Sequence, residues 1–260
     1  MLSSSYLYTD FKRVGPQKKR KSKAGLEAPS ISALYQRAVD DLTTDSNWLT
    51  NCQQMLCDTL KDALMESPTV LCLGLGSPTG SRDARIQLAF LLAACHELDI
   101  DHNAISIYDP VFTVEDSSFL TSLRIHCMTE NLAPQYTLVN PTILYMPHCD
   151  RILYENILRK NWSGDGMRRI LLVANCLGDY VDSIPSRKLA SESPCLSKIV
   201  PYLRCRMLPT LQCCTTAFSS MAIQYIEKDA LATLDRTSSF WELPSGKGQQ
   251  DEETKDSCTL

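Results

Sequence analysis

The sequence predicts an α/β protein: a Rossmann-like, doubly wound, mostly parallel sheet with N-terminal helices and disordered tails. Three observations carry this. The centre of the chain holds short apolar runs separated by stretches of helical period, and strands joined by helices of about ten or more residues form βαβ units. The first run opens into a glycine-rich turn that leads directly into a helix, the place where such folds receive ligands. Finally, 260 residues with 44% hydrophobic and 22% charged side chains suit one α/β domain with appendages.

In chain order, residues 1–30 are polar and basic, with Ser, Gly and Pro, and read as a disordered arm. Residues 31–66 form a helical segment. Leu34, Ala38 and Leu42, spaced by four, start a first helix over Ser30–Asp41. Asp45 or Ser46 caps a second, whose stripe is Leu49, Cys52, Leu56, Leu60 and Leu64. Ser67-Pro68 stops it, and the main domain spans 67–244. Thr69–Leu75 is apolar and runs into glycine, the pattern of a buried strand. Ser81–Leu98 is the next helix, with Ala84, Leu88, Leu91, Cys95 and Leu98 on one face. Ala104–Tyr108 is the second strand; a short helix around Glu115–Leu123 leads to a weak third strand at Arg124–Met128. Thr142–Met146 is the fourth strand, Asp150–Trp162 a helix, and Arg169–Asn175 the fifth strand. Right-handed crossovers then place helices on both faces. Farther on, Ser186–Leu203 reads as one helix interrupted at Pro194 and Pro201, and Ser220–Ile226 as a late strand. Residues 245–260 form a disordered acidic tail.

Charge and cysteine usage narrow the function classes. The net charge is −4, but residues 12–23 carry seven positive side chains and no acid. The remainder is therefore strongly acidic, a poor surface for a phosphate backbone, and direct nucleic-acid binding is not expected. The basic tract is either a solvated arm or a nuclear-import signal. The longest apolar run, Leu88–Cys95, is eight residues, far below the roughly 20 of a bilayer span, so no membrane role is expected. No apolar stretch precedes the basic run, so the start does not read as a secretory signal. Twelve cysteines include no CxxC, which argues against structural zinc in a reducing compartment.

The glycine loop Gly74-Leu75-Gly76-Ser77-Pro78-Thr79-Gly80 is the first candidate site. A tight strand-to-helix turn needs positive φ, and a ligand needs close access to bare backbone. The helix start supplies N–H groups suited to phosphate or carboxylate. The spacing GxGxxxG is one residue off the dinucleotide fingerprint and close to the looser loop of S-adenosylmethionine enzymes. Asp109 ends the second strand 33 residues past Gly76, where an acid can accept hydrogen bonds from ribose; the usual offset is about 20. The alternative is a tight turn with no ligand, and Asp109 as a loop cap.

The fourth strand delivers Pro147-His148-Cys149-Asp150 to the same carboxyl edge. Adjacent residues point apart, so a His148–Cys149 catalytic pair is not expected. His148 reads instead as a ligand contact or loop anchor within reach of the Gly74–Gly80 loop and Asp109. Asp150 caps the next helix.

Three blocks together resemble the "sensitivity to red light reduced" family, the SRR-like proteins. They are Leu71–Ser77 followed by Ser81-Arg82-Asp83-Ala84-Arg85-Ile86-Gln87-Leu88-Ala89; Tyr108-Asp109-Pro110-Val111-Phe112; and Asn140-Pro141-Thr142 through Met146-Pro147-His148-Cys149. The family's Asn-Asp-Thr-Ser-like motif near the domain end reads Phe218-Ser219-Ser220-Met221 here. The resemblance implies a regulatory protein, in circadian clock gene expression and the regulation of haem biosynthesis, in cytoplasm and nucleus, with no established reaction. The reading is thus a non-catalytic regulator with protein partners or a small ligand at Gly74, Gly76, Ser77, Gly80, Asp109 and His148. The rival is a transferase using S-adenosylmethionine or a nucleotide.

Overall fold

Alternation along the strands decides the architecture. In a strand, successive side chains face opposite sides. In β1 (Thr69–Leu73), Val70 and Cys72 enter one apolar cluster and Leu71 and Leu73 a second, and all four are buried. A sheet buried on both faces must be covered by helices on both. The computed structural model of the chain describes residues 29–130, 136–236 and 239–243. The expected disordered arm and acidic tail lie outside the described residues, apart from Pro29 and Ser30.

Two helices precede the sheet, α1 (Ile31–Thr44) and α2 (Ser46–Asp62), the second capped by Asp45, one of the two residues expected for that place. After β1 come α3 (Arg82–Glu97), capped by Ser81, β2 (Ile105–Tyr108), α4 (Val114–Ser122), and the two-residue β3 (His126–Cys127). Then follow β4 (Thr142–Met146), α5 (Arg151–Lys160), the short α6 (Gly164–Arg168), and β5 (Ile170–Asn175). The last part holds α7 (Leu177–Ser183), α8 (Ser186–Glu192), α9 (Pro194–Ile199), β6 (Leu203–Met207), β7 (Met221–Ile226) and α10 (Lys228–Asp235).

The seven strands lie in the order β3-β2-β1-β4-β5-β7-β6. The first five are mutually parallel; β7 runs antiparallel to β5, and β6 antiparallel to β7. The expected doubly wound, mostly parallel sheet is therefore present. Side chains of α1, α2 and α3 share one core with Val70, Cys72, Ile107 and Tyr145. Those of α5, α9 and α10 cover the other face with Leu73, Leu144 and Met146. Trp48 of α2 ties the N-terminal helices to that first core: its ring lies 5.4 Å from Phe90 and 4.8 Å from Phe218, and its Nε1 donates to Pro209 O at 2.7 Å.

Two expectations are corrected. Ser186–Leu203 is not one interrupted helix. Ser193, with φ −143° and ψ +64°, leaves the helical region and separates α8 from α9, where Pro194 opens the new helix, and Leu203 opens β6. The first strand stops at Leu73 because Gly74 and Gly76 take φ of +72° and +75°, which leave the extended region. Register aligns the exits: Leu73 pairs with Tyr108, and Cys72 with Tyr145. Gly74, Asp109 and Pro147 therefore leave the sheet side by side.

Candidate functional site

The glycine loop is held by carboxylates. Asp109 accepts from Gly76 N at 2.7 Å through one oxygen and from Val111 N at 2.9 Å through the other. Asp116, fully buried at the third position of α4, accepts from Ser77 Oγ at 2.7 Å and Thr79 N at 2.8 Å. It also closes a capping box with Thr113, accepting from Thr113 N at 2.9 Å. Arg85 secures the far side, donating to Pro78 O at 2.7 Å. The loop closes on itself where Gly80 N donates to Ser77 O and Oγ.

The two carboxylates differ electrostatically. Burial raises the Asp109 carboxyl above its ordinary value; hydrogen bonds from Val111 and Gly76 oppose this, and the negative charge of Asp116 adds to it. Burial also works against ionised Asp116, but donors from Thr113, Thr79 and Ser77 outweigh it and hold its carboxyl below the ordinary range. Charge-assisted hydrogen bonds of this kind are the stronger ones.

The fourth-strand edge splits its two neighbours. Cys149 is buried and turns toward the glycine loop, its thiol donating to Leu73 O at 3.2 Å. A Cβ built on Gly74 would collide with Cys149 Sγ. His148 is exposed and turns the other way. Its backbone takes a left-handed φ of +53°, and its N donates to Asn175 Oδ1 at 2.9 Å. Its Nε2 lies 3.1 Å from Thr216 O and 3.2 Å from Ala217 O. Facing two carbonyl oxygens, that nitrogen carries the proton. The same segment is held from α3, where Gln87 donates to Ala217 O at 2.7 Å and Asp83 accepts from Thr216 Oγ1 at 2.6 Å. Asn175 and Tyr180 both donate to Cys149 O, fixing the turn from β5 and α7.

Gly74, Gly76, Ser77, Gly80, Asp109 and His148 thus share one sheet edge, as the topology required. Their contacts differ from expectation in two respects. His148 contacts the segment at 216–217, and Cys149 is the residue that reaches the loop, because consecutive side chains diverge. Asp109, expected to face ribose hydroxyls, spends both oxygens on backbone N–H groups. Gly74 makes room for a thiol, whereas a Cβ at Gly76 would meet only Ala84 Cβ, at 3.7 Å, so backbone access survives there. Sequence reasoning missed Asp116; the spacing Thr113-x-x-Asp116 is the capping-box signal that would have found it. It also missed Asn175 and Tyr180, whose roles depend on partners 26 and 31 positions away. Burial and the charges of Asp109 and Asp150 push the Cys149 thiol far up, so it is no nucleophile near neutrality. Among the described residues no group of three or more His, Cys, Asp or Glu side chains could hold a metal ion.

The SRR1 domain profile matches residues 52–225. The chain belongs to the SRR1 domain family. It is 35% identical over 130 residues to the SRR1-like protein of Mus musculus, covering 50% of this chain and 52% of that protein. It is 32% identical over 111 residues to Protein SENSITIVITY TO RED LIGHT REDUCED 1 of Arabidopsis thaliana, covering 43% and 40%. With the SRR1-like protein of Drosophila melanogaster it shares 25% identity over 154 residues, covering 58% and 55%. The chain spans about half the length of the curated relatives it matches. No solved structure matches. The SRR1 match begins at Cys52 within α2, so it includes part of a helix that packs into the first core. No described helix is long and apolar enough to cross a membrane.

Proposed function

We propose that this SRR1-domain protein is a non-catalytic regulator acting in circadian clock gene expression and the regulation of haem biosynthesis. It works by presenting the carboxyl edge of its sheet to a protein partner or a small ligand. Membership of the family supports the regulatory role, and the name of the Arabidopsis relative ties that protein to red-light sensitivity. One observation carries the non-catalytic part. The groups at the edge best suited to chemistry are committed to holding backbone: Asp109 and Asp116 to the glycine loop, His148 to Thr216 and Ala217, and Cys149 to Leu73. Exposed His148 and the open side of Gly76 are the points through which a ligand or partner would engage. The basic tract at 12–23 would direct the protein to the nucleus as well as the cytoplasm.

A second reading, a transferase using S-adenosylmethionine or a nucleotide, is favoured by the strand order. A reversed β7 between β5 and β6 is also the arrangement of S-adenosylmethionine-dependent methyltransferases, an analogy of fold alone. The burial of Asp109 and the thiol seated against Gly74 weigh against it, because a bound nucleoside would have to uncover the carboxylate and move the thiol.

Two measurements test these readings. Calorimetric titration with S-adenosylmethionine and nucleotides should show no binding that depends on Asp109; such binding would favour the transferase. Depletion of the protein in cells should alter the rhythm of clock transcripts and haem content, and restoration without residues 1–28 should rescue poorly and lower the nuclear signal. If neither readout moves on depletion, the clock and haem assignments fail.

A further inference from the structure

The parallel strands have a second end. At the start of β4 and β5, opposite the glycine loop, lies a cavity of about 370 Å³, within the size range of small-molecule pockets. Arg159, Lys160 and Trp162 line it at the exit of α5, Arg169 just before β5, and Trp241 beyond α10. The chain as a whole is acidic, yet among the described residues this lining holds three cations and no carboxylate. Lys160 and Arg169 have no ion-pair partner among the described residues. Arg159 pairs with Glu155 at 3.1 Å, but that carboxylate also accepts from Cys195 N and Leu196 N, so it offsets only part of the positive charge.

Two polar groups in the wall have a proton left to donate. Ser163 Oγ accepts from Gly166 N at 3.0 Å, which leaves its proton to donate. Trp162 is buried and its indole N–H has no partner, an unfavourable state unless an acceptor comes from outside the chain. Asn161 offers nothing further: its Oδ1 accepts from Leu138 N, and its Nδ2 donates to Tyr136 O and Ile157 O. The wall also carries flat apolar surface. Its aromatic rings are Trp162 and Trp241, which meet edge-on at 5.3 Å, while Phe240, outside the lining, stacks on Trp162 at 5.6 Å and holds it in place.

We infer that this cavity binds a small organic anion carrying a flat ring, of the nucleoside monophosphate class. Lys160 and Arg169 receive the phosphate. The aromatic wall takes the ring, and Trp162 Nε1 and the Ser163 hydroxyl donate to its oxygens or nitrogens. The site lies at the opposite end of the strands from the edge that the proposed function uses, and stands or falls separately from it.

Titration of the full chain with AMP and GMP, followed by tryptophan fluorescence, tests this, because two of the three tryptophans line the cavity. Saturable quenching by the monophosphates is expected, stronger than with inorganic phosphate or adenosine alone. Lys160→Gln and Arg169→Gln should each weaken it about tenfold, the loss of one charge-assisted hydrogen bond, while His148→Ala leaves it unchanged. The inference is overturned if neither monophosphate gives a saturable response at millimolar concentration. It is equally overturned if both Gln variants bind as the wild type does, or if His148→Ala abolishes binding and so moves the ligand to the carboxyl edge.

Discussion

Cys149 Sγ occupies the space beside Gly74 that any side chain there would need. The two residues are 75 positions apart, and each explains the other. Gly74 must lack a Cβ because of the thiol and because its φ is +72°. Gly74→Ala is therefore expected to destabilise the fold by about 2–4 kcal/mol, from left-handed strain and overpacking together. In Cys149→Ala the space opens, so the double variant should lose less than the sum of the two single changes. Urea unfolding of all four proteins checks this; strict additivity would show that the sulfur does not press on the loop.

Asp116 should make the loop sensitive to acid. Its carboxyl is held below the ordinary range by the donors it receives. It therefore contributes stability that is present at neutral pH and lost as pH falls through its lowered folded value. Asp116→Asn should cost about 2–3 kcal/mol near neutrality, and that difference should shrink in strongly acid solution, where the wild-type carboxylate is itself protonated. Asp109 acts with the opposite sign, since its raised carboxyl opposes stability once ionised. Denaturation curves across the acid range, with and without Asp116→Asn, measure the difference; a gap independent of pH would refute the charge argument.

His148 combines a useful ring with an unfavourable backbone. Its Nε2 ties the edge to Thr216 and Ala217, while its φ of +53° is left-handed. His148→Ala removes the ring and keeps the strain, and should cost about 1–2 kcal/mol. His148→Gly also removes the ring but relieves the strain, and should recover part of that loss. Hydrogen exchange should show faster opening at 214–217 in both variants. An alanine variant more stable than the glycine variant would mean that the left-handed backbone is unstrained.

The helices before the sheet should be indispensable. Trp48 fills the first core between Phe90 and Phe218 and caps Pro209 O. Trp48→Ala is expected to lose about 3–5 kcal/mol, and a chain lacking residues 31–66 should fail to give a cooperative thermal transition. A stable, cooperative shortened chain would show that the sheet needs no cover from α1 and α2.

The sequence by itself determined the elements with strong local signals. Thr142–Met146 is rich in β-branched and large apolar residues and flanked by proline at both ends, and the structure has the strand at those residues. Asp150 precedes an amphipathic run and caps its helix, and of the pair Asp45 and Ser46 the structure uses Asp45, because a cap depends on the next three residues alone. Parallel order followed from helices lying between strands. Only tertiary structure decided the rest. Leu203–Met207 alternates apolar and basic and is an edge strand whose Arg204 and Arg206 are satisfied by Glu227 and Asp62; the helical reading ends at Leu203 and leaves residues 204–207 unassigned. The carboxyl-edge site was legible as a place but not as a set of contacts. Spacing brings Gly74, Asp109 and His148 to one edge; which way each side chain turns depends on partners distant in sequence, and hydrogen bonds and packing between such partners leave no period in the sequence for a reader to detect.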